Sequence, residues 1–435
     1  MLGEPVATPL DPPAPRPFRV FAEHPLRFRL GWTFMTRRRV GLWLIGAFGG
    51  VGTTITLGLT AMAKGLSGRT GLVTDLPLFE GLALPEPGDF VIGGHDIRQT
   101  SFLESAEEFR RNSGAFSGEL IAACRDELQA ATDRVRPGTK LGSGATIARM
   151  GEWGDAKPAR TAKEAVDRIG ADLAAFVKAE RIDHLIVLSV ASTEAPFLTG
   201  DVHQQWSALN AALAEGGPEL LPSSSLYALA AIRAGHTYLN FTPSLGASIP
   251  ALHELAESTG SLHGGKDGKT GETLMKTVLA PMFAARNLEV MSWVGHNIFG
   301  NRDGVVLDDP VNKSSKVDTK DRVVTQILGY KPKTLVTIEY IPDMGDWKTA
   351  WDHIHFRGFL DTKMTLQFTW QGCDSLLAAP LAIDIARLAD LEKGRGGKGL
   401  MRHLAAFFKG PEGVGENDFF KQTTMLEEYV RKAKQ

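Results

Sequence analysis

The apolar positions gather first into an unbroken run, Val40-Gly41-Leu42-Trp43-Leu44-Ile45-Gly46. No polar residue alternates through it, which predicts a strand buried on both faces, as in a parallel sheet. A glycine-dense turn over Gly46–Thr54 follows, then helical spacing over Ile55–Lys64. A second apolar run closes at Phe90-Val91-Ile92. Ser101 with Glu104 three positions later forms a capping box that opens helical segments reaching about Val135. Helical spacing returns over Ala162–Glu180, and Leu185–Val190 is another buried strand. Strands alternating with helices in this way predict an α/β fold with a doubly wound sheet.

Beyond Gly260 the pattern changes. A glycine- and lysine-rich loop leads into a helix over Thr273–Ala284, and strands are expected at Glu289–Trp293, Thr334–Tyr340 and Met364–Trp370. Their imperfect alternation of polar and apolar residues fits an open sheet with one face packed on helices. Gly394–Gly399 reads as a loop between the last helices.

A length of 435 residues fits two domains, or one large α/β domain carrying an insertion. With 48 Lys+Arg against 50 Asp+Glu, the net charge of −2 offers no basic stripe for nucleic acid. No apolar run is long enough for a membrane span, which needs about 20 residues. Pro5, Pro9, Pro12, Pro13, Pro15 and Pro17 interrupt the apolar core a signal peptide would need, so residues 1–29 read as a proline-rich lead-in. Arg37, Arg38 and Arg39 are expected to solvate the entrance of the first strand. Cys124 and Cys373 form no CxxC pair, and a cytoplasmic location is expected.

The glycine turn carries the first candidate chemistry. Between a strand and a helix, Gly46-x-x-Gly49-x-x-Gly52 sets backbone N–H groups and a helix N-terminus against a diphosphate. Phe48 stands where the usual fingerprint has its second glycine. An acid for a ribose belongs at the end of the second strand, where Asp75 and Asp96 are both candidates. Lys316 and Lys320 are four apart, so a helix would set both ammonium groups on one face. Lys348 and Lys409 are ambiguous singly, and solvated surface lysines are the ordinary alternative for all four. Two loops, Gly264–Gly271 and Asn297–Gly304, offer amides and side-chain donors near strand ends. His353-x-His355 beside Asp352 could chelate a metal only from a strand or loop, and no residue is assigned as a metal ligand.

Taken in order, these segments resemble the myo-inositol-1-phosphate synthase family from about Val40 to the C-terminus. The glycine loop Gly46–Thr54, Gly94-His95-Asp96-Ile97, Ala191-Ser192-Thr193-Glu194 and Asn240-Phe241-Thr242-Pro243 are similar to its nucleotide-binding segments. Gly265–Gly271, His296–Gly304, Ser315–Lys320, Met344–Lys348, Asp374–Pro380 and Lys409-Gly410-Pro411 resemble its later motifs. Phe48, Gly50 and Val51 replace the family's Gly-Asn-Asn. Ser192 and Arg302 each replace an Asn, and Lys266 replaces an Asp.

The resemblance implies a Rossmann-type NAD-binding domain over 30–273 with 377–435, and an inserted α/β catalytic and tetramerisation domain over 274–376. It implies NAD, with ammonium or a divalent cation as a further ion, and a cytoplasmic homotetramer. The implied reaction converts glucose 6-phosphate to inositol phosphate by C5 oxidation, enolisation, aldol closure and re-reduction. A related NAD-dependent sugar-phosphate cyclase or dehydrogenase, or a binding homologue without catalysis, is the alternative. By the same resemblance, Lys316, Lys320, Lys348 and Lys409 are catalytic, with Asp374 as relay. Gly46, Phe48, Gly49, Gly50, Val51, Gly52, Asp96, Ala191, Thr193, Asp267, Asp303 and Gly304 are expected at the cofactor, and Thr270, Gly271 and Asn301 at the substrate.

Overall fold

The computed structural model describes residues 38–153, 158–217, 219–301, 304–305 and 323–435. Lys316, Lys320 and Asp303 lie outside the described residues, as does the lead-in over 1–29.

The first apolar run forms β1 (Val40–Ile45), buried at every position. It pairs in parallel with β2 (Phe90–Asp96) on one side and β4 (His184–Ser189) on the other. β3 (Val135–Pro137), β5 (Thr237–Asn240), β6 (Leu262–Gly265) and β11 (Gly399–Leu400) complete a seven-stranded sheet of order β11-β6-β5-β4-β1-β2-β3. All its pairs are parallel. The order reverses between β1 and β4, the switch point of a doubly wound Rossmann-type sheet. This is the expected α/β architecture.

Alternate side chains of the sheet feed two cores. Val40, Leu42, Leu44, Ile186 and Leu188 pack with the helices Gly50–Ala63 and Asp374–Gly394. Trp43, Ile45, Leu185 and Val187 face the helices Ala162–Glu180 and Ser223–Arg233. Burial on both faces explains why β1 and β4 read as continuous apolar runs rather than alternating ones. Ser101 caps the expected helix: its hydroxyl oxygen accepts the Glu104 N–H at 3.1 Å at the start of Phe102–Ser113, while the Glu104 carboxylate accepts from the Ser101 hydroxyl at 3.1 Å, so the N-cap half of the expected capping box forms.

A second sheet of order β10-β9-β7-β8 holds β7 (Glu289–Phe299), β8 (Lys333–Tyr340), β9 (Trp347–Arg357) and β10 (Lys363–Cys373). β7 runs parallel to β8, while β9 is antiparallel to both β7 and β10. Its inner face packs Trp293, Ile354 and Phe356 against Ala280 and Phe283 of the helix Gly271–Ala285. This is the expected open sheet with one helix-covered face. Its outer face leaves Leu335 and Trp351 exposed.

Several local expectations change: β7 runs on to Phe299 and β6 to Gly265, into segments expected as loops. β9 was not foreseen, because its inward positions include Lys348 and Asp352 among Ala350 and Ile354, which breaks the apolar alternation. Gly399, expected in a loop, begins the edge strand β11 and pairs with Leu262. Arg38 and Arg39 do sit at the strand entrance, on Asp390 at 2.9 Å and Glu180 at 3.0 Å.

Candidate active site

The carboxyl ends of β1, β2, β4 and β5, with the loop after β6, open into a cleft of about 360 Å³. Ligands of open α/β sheets bind at this edge. The rest of the lining includes Gly300 and Asn301 after β7, Gly345 and Asp346 before β9, and Asp374 and Ser375 at the start of the long helix Asp374–Gly394. The two sheets therefore both contribute to the lining of one cavity.

The nucleotide end is built around the glycine turn. Gly46 has φ +83, and a Cβ there would lie 2.7 Å from the Ala191 Cα. A Cβ on Gly52 would lie 2.3 Å from the Ala47 carbonyl oxygen. Glycine at these two positions lets the ends of β1 and β4 and the following helix approach closely. That helix starts with neither a side-chain cap nor an acidic residue in its first turn, leaving its N-terminal dipole available to an anion. Thr53 Oγ1 and Ser105 Oγ line the cleft, are buried, and have no protein partner. An uncapped helix N-terminus and two orphaned hydroxyls at the switch point fit a dinucleotide's diphosphate and ribose.

Asp96 ends β2 and braces the loop. Its carboxylate accepts from Phe48 N at 2.7 Å and Arg98 N at 2.8 Å. Arg98 returns to the Phe48 carbonyl at 2.8 Å and reaches Glu108 at 2.7 Å. Burial pushes the Asp96 pKa upward, against the pull of these donors. The Phe48 ring packs 5.0 Å from Phe102. The other acid candidate, Asp75, pairs with Arg69 at 3.4 Å and is not among the cleft residues.

Lys409 lines the same cleft. Its Nζ lies 2.8 Å from Asp267 Oδ1, with the two side chains only 15% and 9% exposed. The Lys409 N–H also donates to the Asp267 carbonyl. Asp267 itself is held by its N–H to the Thr242 carbonyl at 3.0 Å and has φ +63. Asp346 accepts from Asn301 Nδ2 at 2.9 Å and from Ser375 N at 2.7 Å. Burial, reinforced by the charge of Asp374, raises the Asp346 pKa. The Glu194 carboxyl accepts from Ser224 N at 2.8 Å and from the Ser224 hydroxyl at 2.5 Å, and burial lifts its pKa to about 7.

Of the residues named from sequence, Gly46, Phe48, Gly49, Gly50, Val51, Asp96, Ala191, Thr193, Asp267, Thr270, Asn301, Asp374 and Lys409 line this one cleft. Gly52, Gly271, Gly304 and Lys348 are not among the lining residues. Lys348 Nζ lies 5.2 Å over the Phe299 ring, one residue before Gly300. Gly304 N donates to Asn301 Oδ1 at 3.1 Å. Glu194, Asp346 and Ser375 join the cleft without having been singled out, although each lies inside a motif segment already noted. The signal was their place in Ala191–Glu194, Met344–Lys348 and Asp374–Pro380. His353 and His355 sit on the outer face of β9, while Asp352 turns inward to accept from Trp293 Nε1 at 2.7 Å, so the strand keeps this trio apart.

Residues 40–431 match the myo-inositol-1-phosphate synthase family. Inositol-3-phosphate synthase 1 of Bacteroides thetaiotaomicron is 32% identical over 418 residues, covering 90% of this chain and 95% of that protein. Inositol-3-phosphate synthase 1 of rice, Oryza sativa subsp. japonica, is 28% identical, with 82% and 76% covered. Among solved structures, inositol-3-phosphate synthase from Caenorhabditis elegans shares the fold with a TM-score of 0.83 at 24% identity, covering 92% of this chain and 86% of that one.

Proposed function

The chain belongs to the myo-inositol-1-phosphate synthase family, and from that premise we propose that it converts glucose 6-phosphate to inositol phosphate in this cleft. The observation that carries the reading is Lys409, held on Asp267 in the same cleft as the glycine turn and its uncapped helix.

NAD held along the glycine turn would supply reversible hydride transfer at C5 of the sugar, taking the hydride up as NAD+ and giving it back as NADH. Gly46, Phe48, Gly49, Gly50, Val51 and Gly52 would hold its diphosphate, with Asp96 bracing the turn. Ala191, Thr193, Asp267, Asp303 and Gly304 would border the rest. The chain's own residues then manage charge and protons. A 5-ketone acidifies C6, and the enolate formed there attacks the C1 aldehyde, so negative charge develops first on the C5 oxygen and then on the C1 oxygen. A fixed ammonium aimed at such an oxygen contributes about 3–4 kcal/mol. Lys409 and Lys316 serve the C5 oxygen and its proton traffic. Lys320 and Lys348 serve the C1 and phosphate end, Asp374 relays or orients, and Thr270, Gly271 and Asn301 bind phosphate and hydroxyls.

Grouping 30–273 with 377–435 as the NAD-binding domain and 274–376 as the insert is supported by all four strands of the second sheet falling within the insert. Exposed Trp351 and Leu335 on that sheet's outer face support its role in a homotetramer. Two free, buried thiols suit a reducing cytoplasm. No helix among the described residues is long and apolar enough to cross a membrane. Ammonium or a divalent cation would serve as the additional ion.

The test is glucose 6-phosphate deuterated at C5. Because oxidation and re-reduction occur at one site, mass spectrometry of the product should find the label retained at that carbon. Loss of the label to solvent or to free cofactor would refute the closed cycle.

A further inference from the structure

Behind the loop that carries Lys409, three side chains from separate parts of the chain turn their polar atoms toward one another. His263 lies within β6, His253 on the helix Pro250–Thr259, and Glu412 three residues after Lys409. Glu412 Oε2 is 3.5 Å from His253 Nε2 and 3.6 Å from His263 Nδ1, and the three ligand atoms lie within 4.8 Å of one another. Each of these three atoms is buried without a hydrogen-bond partner.

These separations are too long for an N–H···O hydrogen bond. The two Glu412–imidazole separations are close to the roughly 3.4 Å between donors about 2.0–2.2 Å from a tetrahedral zinc, and the two imidazole nitrogens, within 4.8 Å of each other, would draw together on a bound ion. The surroundings also resemble the outer support of a metal site. Ser248 Oγ donates to the other Glu412 oxygen, Oε1, at 2.6 Å and sets the carboxylate's orientation. Glu412 N donates to the Gly265 carbonyl at 2.8 Å, tying the loop to the end of β6. The two imidazole rings lie 4.6 Å apart at 31°. The His263 side chain is 1% and that of Glu412 6% exposed; that of His253 is 39% exposed, but its Nε2 is buried with the other two donors.

We propose that His253, His263 and Glu412 form a binding site for a divalent transition-metal ion of the zinc class. Two imidazoles and one carboxylate are borderline donors that favour zinc, cobalt or nickel over magnesium or calcium. None of the three lines the cleft, so this ion is distinct from any cation used in the reaction. A metal here pins the Lys409–Glu412 loop to β6 and to the helix Pro250–Thr259.

Cobalt(II) is the probe. Full-length protein stripped of metal with a chelator is titrated with Co²⁺ while visible d–d absorption is recorded, and Zn²⁺ is then added in competition. The expected result is one equivalent of cobalt with strong tetrahedral bands, displaced by zinc. The bands should vanish in Glu412→Gln and His263→Gln and persist in Asp267→Asn. Because His263 is in the core, His253→Gln at a half-exposed position is the second variant, expected to weaken cobalt binding at least tenfold with unchanged thermal unfolding of the metal-free protein. No bands at excess cobalt, or bands that survive both Glu412→Gln and His253→Gln, would overturn the site.

Discussion

Lys269 precedes the cleft residue Thr270, yet its ammonium is buried in the protein and is not part of the cleft lining. It is 3% exposed, donates to the Gln422 side-chain oxygen, and lies 5.9 Å from the Phe419 ring. Burial lowers its pKa from 10.5 to about 7, against the pull of Asp418. Below about pH 7 both folded and unfolded chains carry the proton, and the burial cost is complete. Between pH 7 and 10.5 the unfolded chain binds more protons than the folded one, so stability rises with pH. At about 1.4 kcal/mol per pH unit the whole window amounts to about 4–5 kcal/mol. Lys269→Met keeps the apolar stem and removes the charge, at a cost of about 1–3 kcal/mol for the abandoned Gln422 oxygen. At pH 7 the variant is therefore expected to be more stable than the wild type by about 2 kcal/mol. Urea unfolding of both proteins, followed by tryptophan fluorescence at pH 7, 8 and 9, reads the difference directly. That difference should shift by about 2–3 kcal/mol in favour of the wild type between pH 7 and 9. A difference that stays constant with pH would refute the reasoning, because the lysine would then not be buried with its proton at risk.

Three further outcomes follow from the same geometry. Lys409→Met should lower kcat about 100- to 1,000-fold, the loss expected for one oxyanion donor, while NAD affinity from calorimetry stays within a few-fold. Glu194 has its folded pKa raised from 4.5 to about 7 by burial, so the folded chain binds the extra proton and stability falls as pH rises through that window. Glu194→Gln should remove a loss of about 3 kcal/mol between pH 4.5 and 7 and give a flatter curve of Tm against pH. Gly46→Ala must place a Cβ against Ala191 at a left-handed φ, and should cost about 1–3 kcal/mol of stability and weaken NAD binding at least tenfold, read by chemical denaturation and calorimetry.

What was legible in the sequence had a short-range physical signature. β1, its glycine turn and the helix after it stand out because burial on both faces removes polar residues and the turn needs glycine for close approach. Ser101 and Glu104 announced their helix through a local capping interaction. β9 was hidden because Lys348 and Asp352 occupy inward positions, which a pattern of apolar residues does not anticipate. The cleft was legible through separated motifs, but Asp346 was not, since its importance lies in joining Asn301 after β7 to Ser375 at the head of a helix. The cluster of His253, His263 and Glu412 has no spacing signature, because a helix, a strand and a late loop meet only once the sheet has formed. Lys316, Lys320 and Asp303 lie outside the described residues, and their roles rest on the family's motifs.

The central claim is an internal redox cycle around a cyclisation. Phosphorus NMR of the purified protein with glucose 6-phosphate and NAD, recorded alongside absorbance at the NADH band, tests it most directly. The account predicts an inositol phosphate resonance growing at the expense of substrate with no net NADH. NADH accumulating without the cyclised product would contradict it and make the protein a sugar-phosphate dehydrogenase, and no turnover with ammonium or a divalent cation added would contradict it as well.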